Sequence, residues 1–250
     1  MNIGMYQNAA SLSALERWQD VVTQNLTSSQ VTGYMRRTVQ MGGMEGGETF
    51  VEGATPGSQG DGLKGYFPEA RFAIAFNPGE NHPTRRKLDL AIAGPGFFNL
   101  QMPDDGPIAY TRAGQFSINK ERMLVSSQGF EVLSADGNPI QLLPQGGEPE
   151  ILPDGSIKQG GAIVGKVGIT QPEFPSRMVP LTIDLFTADD SAGMKEVEEP
   201  DVQQGYLEGS NVKPLREMVD LVNISRAYEA NNKLIQTRDQ LLESALEKLT

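Results

Sequence analysis

Glycine and proline are nearly excluded from both ends of this 250-residue chain and crowded into its middle. Residues 1–37 hold two glycines and no proline, and residues 205–250 hold two glycines and one proline. The other 24 glycines and 15 prolines fall between them. Glycine is costly to order and proline disrupts a helix interior, so long helices belong at the termini and the middle must be built from turns. Charge divides the same way. The middle carries 12 basic against 23 acidic residues, which is the whole net charge of −11, and the two ends are close to neutral.

Both ends read as amphipathic helices. Leu221, Ile224, Tyr228, Asn231, Ile235, Arg238, Leu242, Ala245 and Leu249 follow one another at alternating steps of three and four, which lays a mostly apolar seam along one helix face. Leu215, Met218 and Val219 are read as extending that seam backwards, and Leu234 and Leu241 as widening it. Ser210 and Asn211 suit an N-cap, and Pro214 is tolerated only in a first turn. At the other end, Ile3 to Leu26 lacks proline, and Leu12, Leu15, Trp18, Val22 and Leu26 recur at helical spacing until Thr32 and Gly33 stop the pattern. A helix with so long a stripe needs a partner surface, and the opposite terminus supplies one of matching character.

Between these helices the chain changes character. Nine glycines fall between Gly42 and Gly65, a composition for an extended connector rather than a helix. From Tyr66 short apolar runs alternate with turn dipeptides: Asn77-Pro78-Gly79, Asp105-Gly106, Asp136-Gly137 and Asp154-Gly155. Asp-Gly between alternating runs is a hairpin signal. The expected architecture is α+β: terminal helices at 1–37 and 205–250, connectors at 38–65 and 189–204, and a mainly antiparallel β domain at 66–188.

The chemistry-bearing inventory is thin. The chain has no cysteine and one histidine, His82, in a polar loop context, so a zinc site would need to be almost all carboxylate. Gly94-Pro95-Gly96 lacks the third glycine and following helix of a dinucleotide loop, and the 42–65 run lacks a phosphate-loop ending. Asp104-Asp105 and Asp189-Asp190 sit beside turn residues and read as solvated loops, and Asp136-Gly-Asn138 as a hairpin turn rather than a calcium loop. No catalytic, cofactor or metal site is expected. The acidic balance, pI about 4.6, argues against nucleic acid. No run of about 20 apolar residues is present to span a bilayer, and the N-terminus has neither the basic nor the apolar region of a cleaved signal.

Three motifs then carry a resemblance. VVTQNLTSSQVTGYMRR at 21–37, the long segment from LDLAIAGPGFFNLQM to SSQGFEVL at 88–133, and LEGSNV followed by SRAYEANNKLIQTRD at 207–239 occur in that order. Together they resemble a rod protein of the bacterial flagellar hook–basal body family. Thr27-Ser28 stands where the family pattern has Ala-Asn, and Thr32 where proline is common. The short connector and the GSNVKP stretch at 209–214 point towards a proximal-rod rather than a distal-rod member.

The resemblance implies a structural protein and not an enzyme. It implies export through the flagellar type III apparatus without a cleaved signal, and assembly in the periplasm with copies of itself and other axial proteins of rod and hook. The terminal helices would pair as a coiled coil in an inner domain, ordering on polymerisation, with the β domain outside. On that basis Leu12, Leu15, Trp18, Val22 and Leu26 are expected to meet Leu221, Ile224, Tyr228, Ile235, Leu242 and Leu249. Asn25, Thr32 and Gly33 would shape the exit from the first helix, and Asn231 and Arg238 would set register. The competing reading is a secreted β-domain binding module on a helical stalk.

Overall fold

The computed structural model describes residues 3–49, 63–103 and 106–247. Two compact units result, one of Met1–Leu26, Arg37–Ala73 and Pro214–Thr250, the other of Thr27–Arg36 and Ile74–Lys213. The fold is α+β, with two long helices from the termini and sheets whose recorded pairings among the described residues are antiparallel.

The first unit contains helix α1 (Ile3–Thr27), helix α2 (Pro214–Glu247) and a two-stranded ribbon of Arg37–Thr49 with Leu63–Ile74. α2 begins at Pro214, where a missing N–H leaves nothing unsatisfied. Glu217 lies in its first turn, the favourable end for a negative charge. Neither Ser210 nor Asn211 caps it. The Ser210 hydroxyl accepts from the Val212 amide at 3.2 Å, and the Asn211 oxygen accepts from the Arg36 amide at 2.6 Å. The glycine-rich run therefore begins as a strand of the ribbon: glycine removes side chains but leaves the backbone groups that make a ladder. Asp104-Asp105 and residues 50–62 lie outside the described residues.

The second unit is built on a nine-stranded sheet. One path through it runs Met178–Pro180, Leu185–Ala188, Ile108–Thr111, Phe97–Gln101, Glu131–Val132, Leu124–Ser126, Phe116–Ile118. Ile169–Pro172 pairs with both Phe97–Gln101 and Met194–Glu196. The main core lies on one side of this sheet, around Leu90, Phe98, Leu100, Leu124, Val132 and Ile169. Phe98 and Phe116 meet edge to face there, with ring centroids 5.1 Å apart. A second cluster joins Met35, Phe97, Tyr110, Met178 and Phe186. Hairpin turns fall at Asp136-Gly137 and Asp154-Gly155, where Gly137 and Gly155 take φ of +78° and +84°.

Residues 189–204 do more than connect. Asp189 caps a 3-10 turn at Asp190–Ala192, Met194–Glu196 enters the sheet, and Val202–Gln204 pairs with Leu90–Ile92. Tyr206–Glu208 pairs with Asn81–Pro83. The glutamates facing water hide this in the sequence, although Val202 lies in the main core and Val197 packs against it.

Candidate assembly interface

In the first unit α1 and α2 pack in opposite directions. Leu15, Val22 and Ile224 form a sealed cluster, with Trp18, Leu221 and Ala227 packed around it. A polar contact bounds each end. Asn231 Nδ2 reaches Ser11 Oγ at 3.4 Å, and Asn25 Nδ2 donates to Glu217 Oε2 at 3.0 Å. Ser11 to Asn25 and Asn231 to Glu217 are equal steps along the two helices, so the contact keeps one register over about 21 Å at 1.5 Å per residue.

Asn25 is fully buried and does more than pair with Glu217. Its amide also donates to the Arg37 carbonyl at 2.7 Å, and its oxygen accepts from the Arg37 amide at 2.9 Å. One side chain thus completes the backbone of Arg37 as a neighbouring strand would, which fixes where the ribbon leaves the helix. Glu217 is equally buried. A carboxylate there requires a donor, and the Asn25 amide and the start of α2 meet that need.

The other sequence-selected positions distribute as follows. Leu12, Leu26, Ile235, Asn231, Arg238 and Thr32 are half-buried, Tyr228 is exposed, and the Leu242 side chain and Leu249 lie outside the description. Leu215, Met218 and Val219 do not extend the seam towards α1. With Val222 they form a row on the opposite side of α2, all exposed, Leu215 at 77%. The row facing α1 is Glu217, Leu221, Ile224, Ala227 and Asn231. Glu217, Ala227 and Ser11 are not among the residues chosen from sequence, although Glu217 shares the phase of Leu221 and Ile224 and could have been found from it.

In the second unit the three motifs that carry the resemblance converge. Arg112, from the middle motif, and Glu208, from the last, form an ion pair at 3.0 Å with both side chains 3% exposed. Arg112 also donates to the carbonyls of Gly94 at 2.8 Å and Ile92 at 3.4 Å, and its guanidinium carbon sits 5.3 Å from the centre of the Phe97 ring. Burial lowers the Arg112 pKa, and the charge and hydrogen bond of Glu208 oppose that fall. Glu208 Oε1 accepts from the Gly79 amide at 2.8 Å, and the Glu208 carbonyl accepts from Gly33, a residue of the first motif, at 2.9 Å. Gly33 has φ of +69°, and a Cβ there would overlap the backbone of Ala113. Asn211 completes the junction. Its oxygen takes the Arg36 amide, and its amide donates to the carbonyls of Ala75 at 2.8 Å and Asn77 at 2.6 Å.

This arrangement is one of packing and anchoring. The described residues contain no cluster of three or more metal-ligating side chains, and no described helix is long and apolar enough to cross a membrane. The described surface depression near Ile151, Pro153, Asp201 and Tyr206 is shallow.

Comparison with known proteins agrees with the motifs. Residues 203–248 match a model described as the flagellar basal body rod FlgEFG protein C-terminal, and residues 91–166 one described as the flagellar hook protein FlgE/F/G D1 domain. The flagellar basal-body rod protein FlgF of Caulobacter vibrioides is 30% identical over all of this chain and 98% of its own length. FlgF of Rhizobium meliloti is 29% identical over 100% of this chain and 98% of its own. FlgG of Borreliella burgdorferi is 29% identical over 95% of each. Two helices from the chain ends and an antiparallel β unit, with one match falling mainly on α2 and the other on the β unit, define an axial component of the flagellar hook and rod class. The chain belongs to the flagellar basal-body rod protein family, which is structural and not enzymatic.

Proposed function

We propose that this chain is a structural subunit of the bacterial flagellar basal-body rod, joining a helical tube through its terminal helices. One observation carries the reading beyond family membership. α1 covers a single face of α2, while Leu215, Met218, Val219 and Val222 stay exposed on the opposite face. A helix apolar on two sides suits an assembly in which a neighbour supplies the second cover.

In this reading the helix pair is a coiled coil. Leu12, Leu15, Trp18, Val22 and Leu26 meet α2 along Leu221, Ile224, Tyr228, Ile235, Leu242 and Leu249, and Asn231 and Arg238 hold its register. Asn25, Thr32 and Gly33 set the exit from α1. The termini are the inner axial domain and the region around 66–188 the outer one. Isolated helices are marginal in water, so the pair orders fully only on polymerisation. Each contact is heterologous and does not close on itself, which lets a tube grow. The partners are copies of this chain and other rod and hook proteins, reached in the periplasm through the flagellar export apparatus without a cleaved signal. A proximal place in the rod goes with the short connector.

The test uses the purified full-length protein, followed by sedimentation and electron microscopy at rising concentration, together with complementation of a deletion strain. The wild type is expected to form tubes or short axial oligomers and to restore swimming. Ile224→Asp is expected to lose both while the β unit keeps its thermal transition. Rods built by Ile224→Asp would overturn the helix-pair assignment.

A further inference from the structure

The core face of the nine-stranded sheet runs out from under its cover at one edge. Cross-strand neighbours there form two rows. In the first, Val132, Leu100 and Ala109 are sealed, Thr187 is half-buried, and Val179 at the edge is 56% exposed. In the second, Ile169, Phe98, Thr111 and Leu185 are sealed, and Leu181, whose amide bonds to the Leu185 carbonyl at 2.9 Å, is 47% exposed. Paired residues share a face, so Val179 and Leu181 point to the same side as the sealed residues of their rows. Ile183 at the turn and Phe174 before the edge strand are also about half exposed. A sheet face that is apolar but for Thr111 and Thr187, with apolar residues uncovered at its rim, is a surface prepared for another protein.

We infer that this rim, Val179 and Leu181 with Ile183 at the adjoining turn, is a contact for a second copy of the same chain. The inference rests on the rod reading. Three half-exposed side chains offer at most a few hundred Å², well short of the ~800 Å² per partner of a stable pair. Such a patch leaves dilute subunits monomeric and becomes effective when other contacts already hold copies side by side. The contact is made by side chains and not by adding a strand. Among the described residues the edge strand Met178–Pro180 pairs only with Leu185–Ala188, and Pro180 has no N–H to offer a further strand.

The absence of cysteine makes the test direct. A thiol-directed benzophenone is placed on full-length Leu181→Cys, and as a control on Ser117→Cys, an exposed position on the strand at the opposite end of the sheet path. Each is illuminated over a range of protein concentrations and in assembled rods. Leu181→Cys is expected to give at least a tenfold higher yield of cross-link to a second copy than the control. Val179→Asp with Leu181→Asp is expected to weaken self-association at least tenfold by sedimentation, with an unchanged thermal transition for the β unit. Equal yields from the two positions, a product with a different axial protein, or unaltered association of the double variant would overturn the inference. Loss of assembly in Ile224→Asp alongside any of those results would leave the rod reading standing and remove only the rim contact.

Discussion

The two units hold a buried carboxylate in different settings. In the helix unit the buried carboxylate of Glu217 accepts from the neutral amide of Asn25 and lies in the first turn of α2. In the β unit Glu208 is met by a buried guanidinium, which is itself tied to two carbonyls and an aromatic face. Their apolar interiors differ as well. The helix pair is sealed at Leu15, Val22 and Ile224 and leaves a whole row of α2 exposed, whereas the sheet encloses a continuous core from Leu90 to Val202. The lesson is that each part leaves apolar surface uncovered to a different extent, the helix pair along a whole row of α2 and the sheet only at its rim.

That contrast can be broken most severely at Arg112. Arg112→Met leaves Glu208 buried without its countercharge and is expected to destabilise the β unit by about 3–5 kcal/mol. Calorimetry should show the larger transition falling. The only tryptophan, Trp18, lies in the helix unit, so its fluorescence transition should not move with it. Ile224→Ala is the converse. Opening a cavity among Leu15, Val22 and Leu221 should cost about 2–5 kcal/mol, lowering the Trp18 transition and sparing the larger one. A single shared shift in both variants would show that the units unfold together and that the contrast is unfounded.

Asn25→Ala sharpens the comparison at a smaller scale. It strips a donor from Glu217 and two hydrogen bonds from the Arg37 backbone, for an expected loss of about 1–3 kcal/mol seen again at Trp18. Amide exchange at Arg37 should rise in parallel. The smallest effect lies in the turns. Hydrogen bonds from the Ser156 amide and hydroxyl hold the Asp154 carboxyl below its ordinary value, and those from Ser191 do the same for Asp189. A depressed carboxyl adds stability above its unfolded value and loses it as pH falls through the folded one. Both turns should therefore stay formed through mildly acidic pH and loosen only below the usual carboxylate range. Two-dimensional NMR of the Ser156 and Ser191 amides checks this.

Much of the helix unit was legible because a 3.6-residue period survives in any sequence window. The reading of α1 from Ile3 to Leu26 differs from the helix by one residue. The distribution of α2 side chains was less legible for a geometric reason. Leu221 follows Leu215, and Ile224 follows Met218, by six residues, which at 3.6 residues per turn sets each pair about 120° apart, so one seam on paper becomes two rows in space. The hairpin turns were readable from Asp-Gly. The partners of Asn81–Pro83 and Leu90–Ile92 were not, because they come from Tyr206–Glu208 and Val202–Gln204, more than a hundred positions onward. Arg112 and Glu208 were invisible as a site because a charged residue read alone belongs on the surface.

Those distant partners also dictate an order of events. Strands near the beginning of the β unit stay unmatched until the ribosome has delivered residues close to its end. Loop closure of that span must precede its reward, so a nascent chain remains pliable through most of its length. Truncation shortly before Val202 would therefore strand Leu90 and Ile92 without their neighbours and leave an unfinished, sticky molecule in place of a merely shorter one.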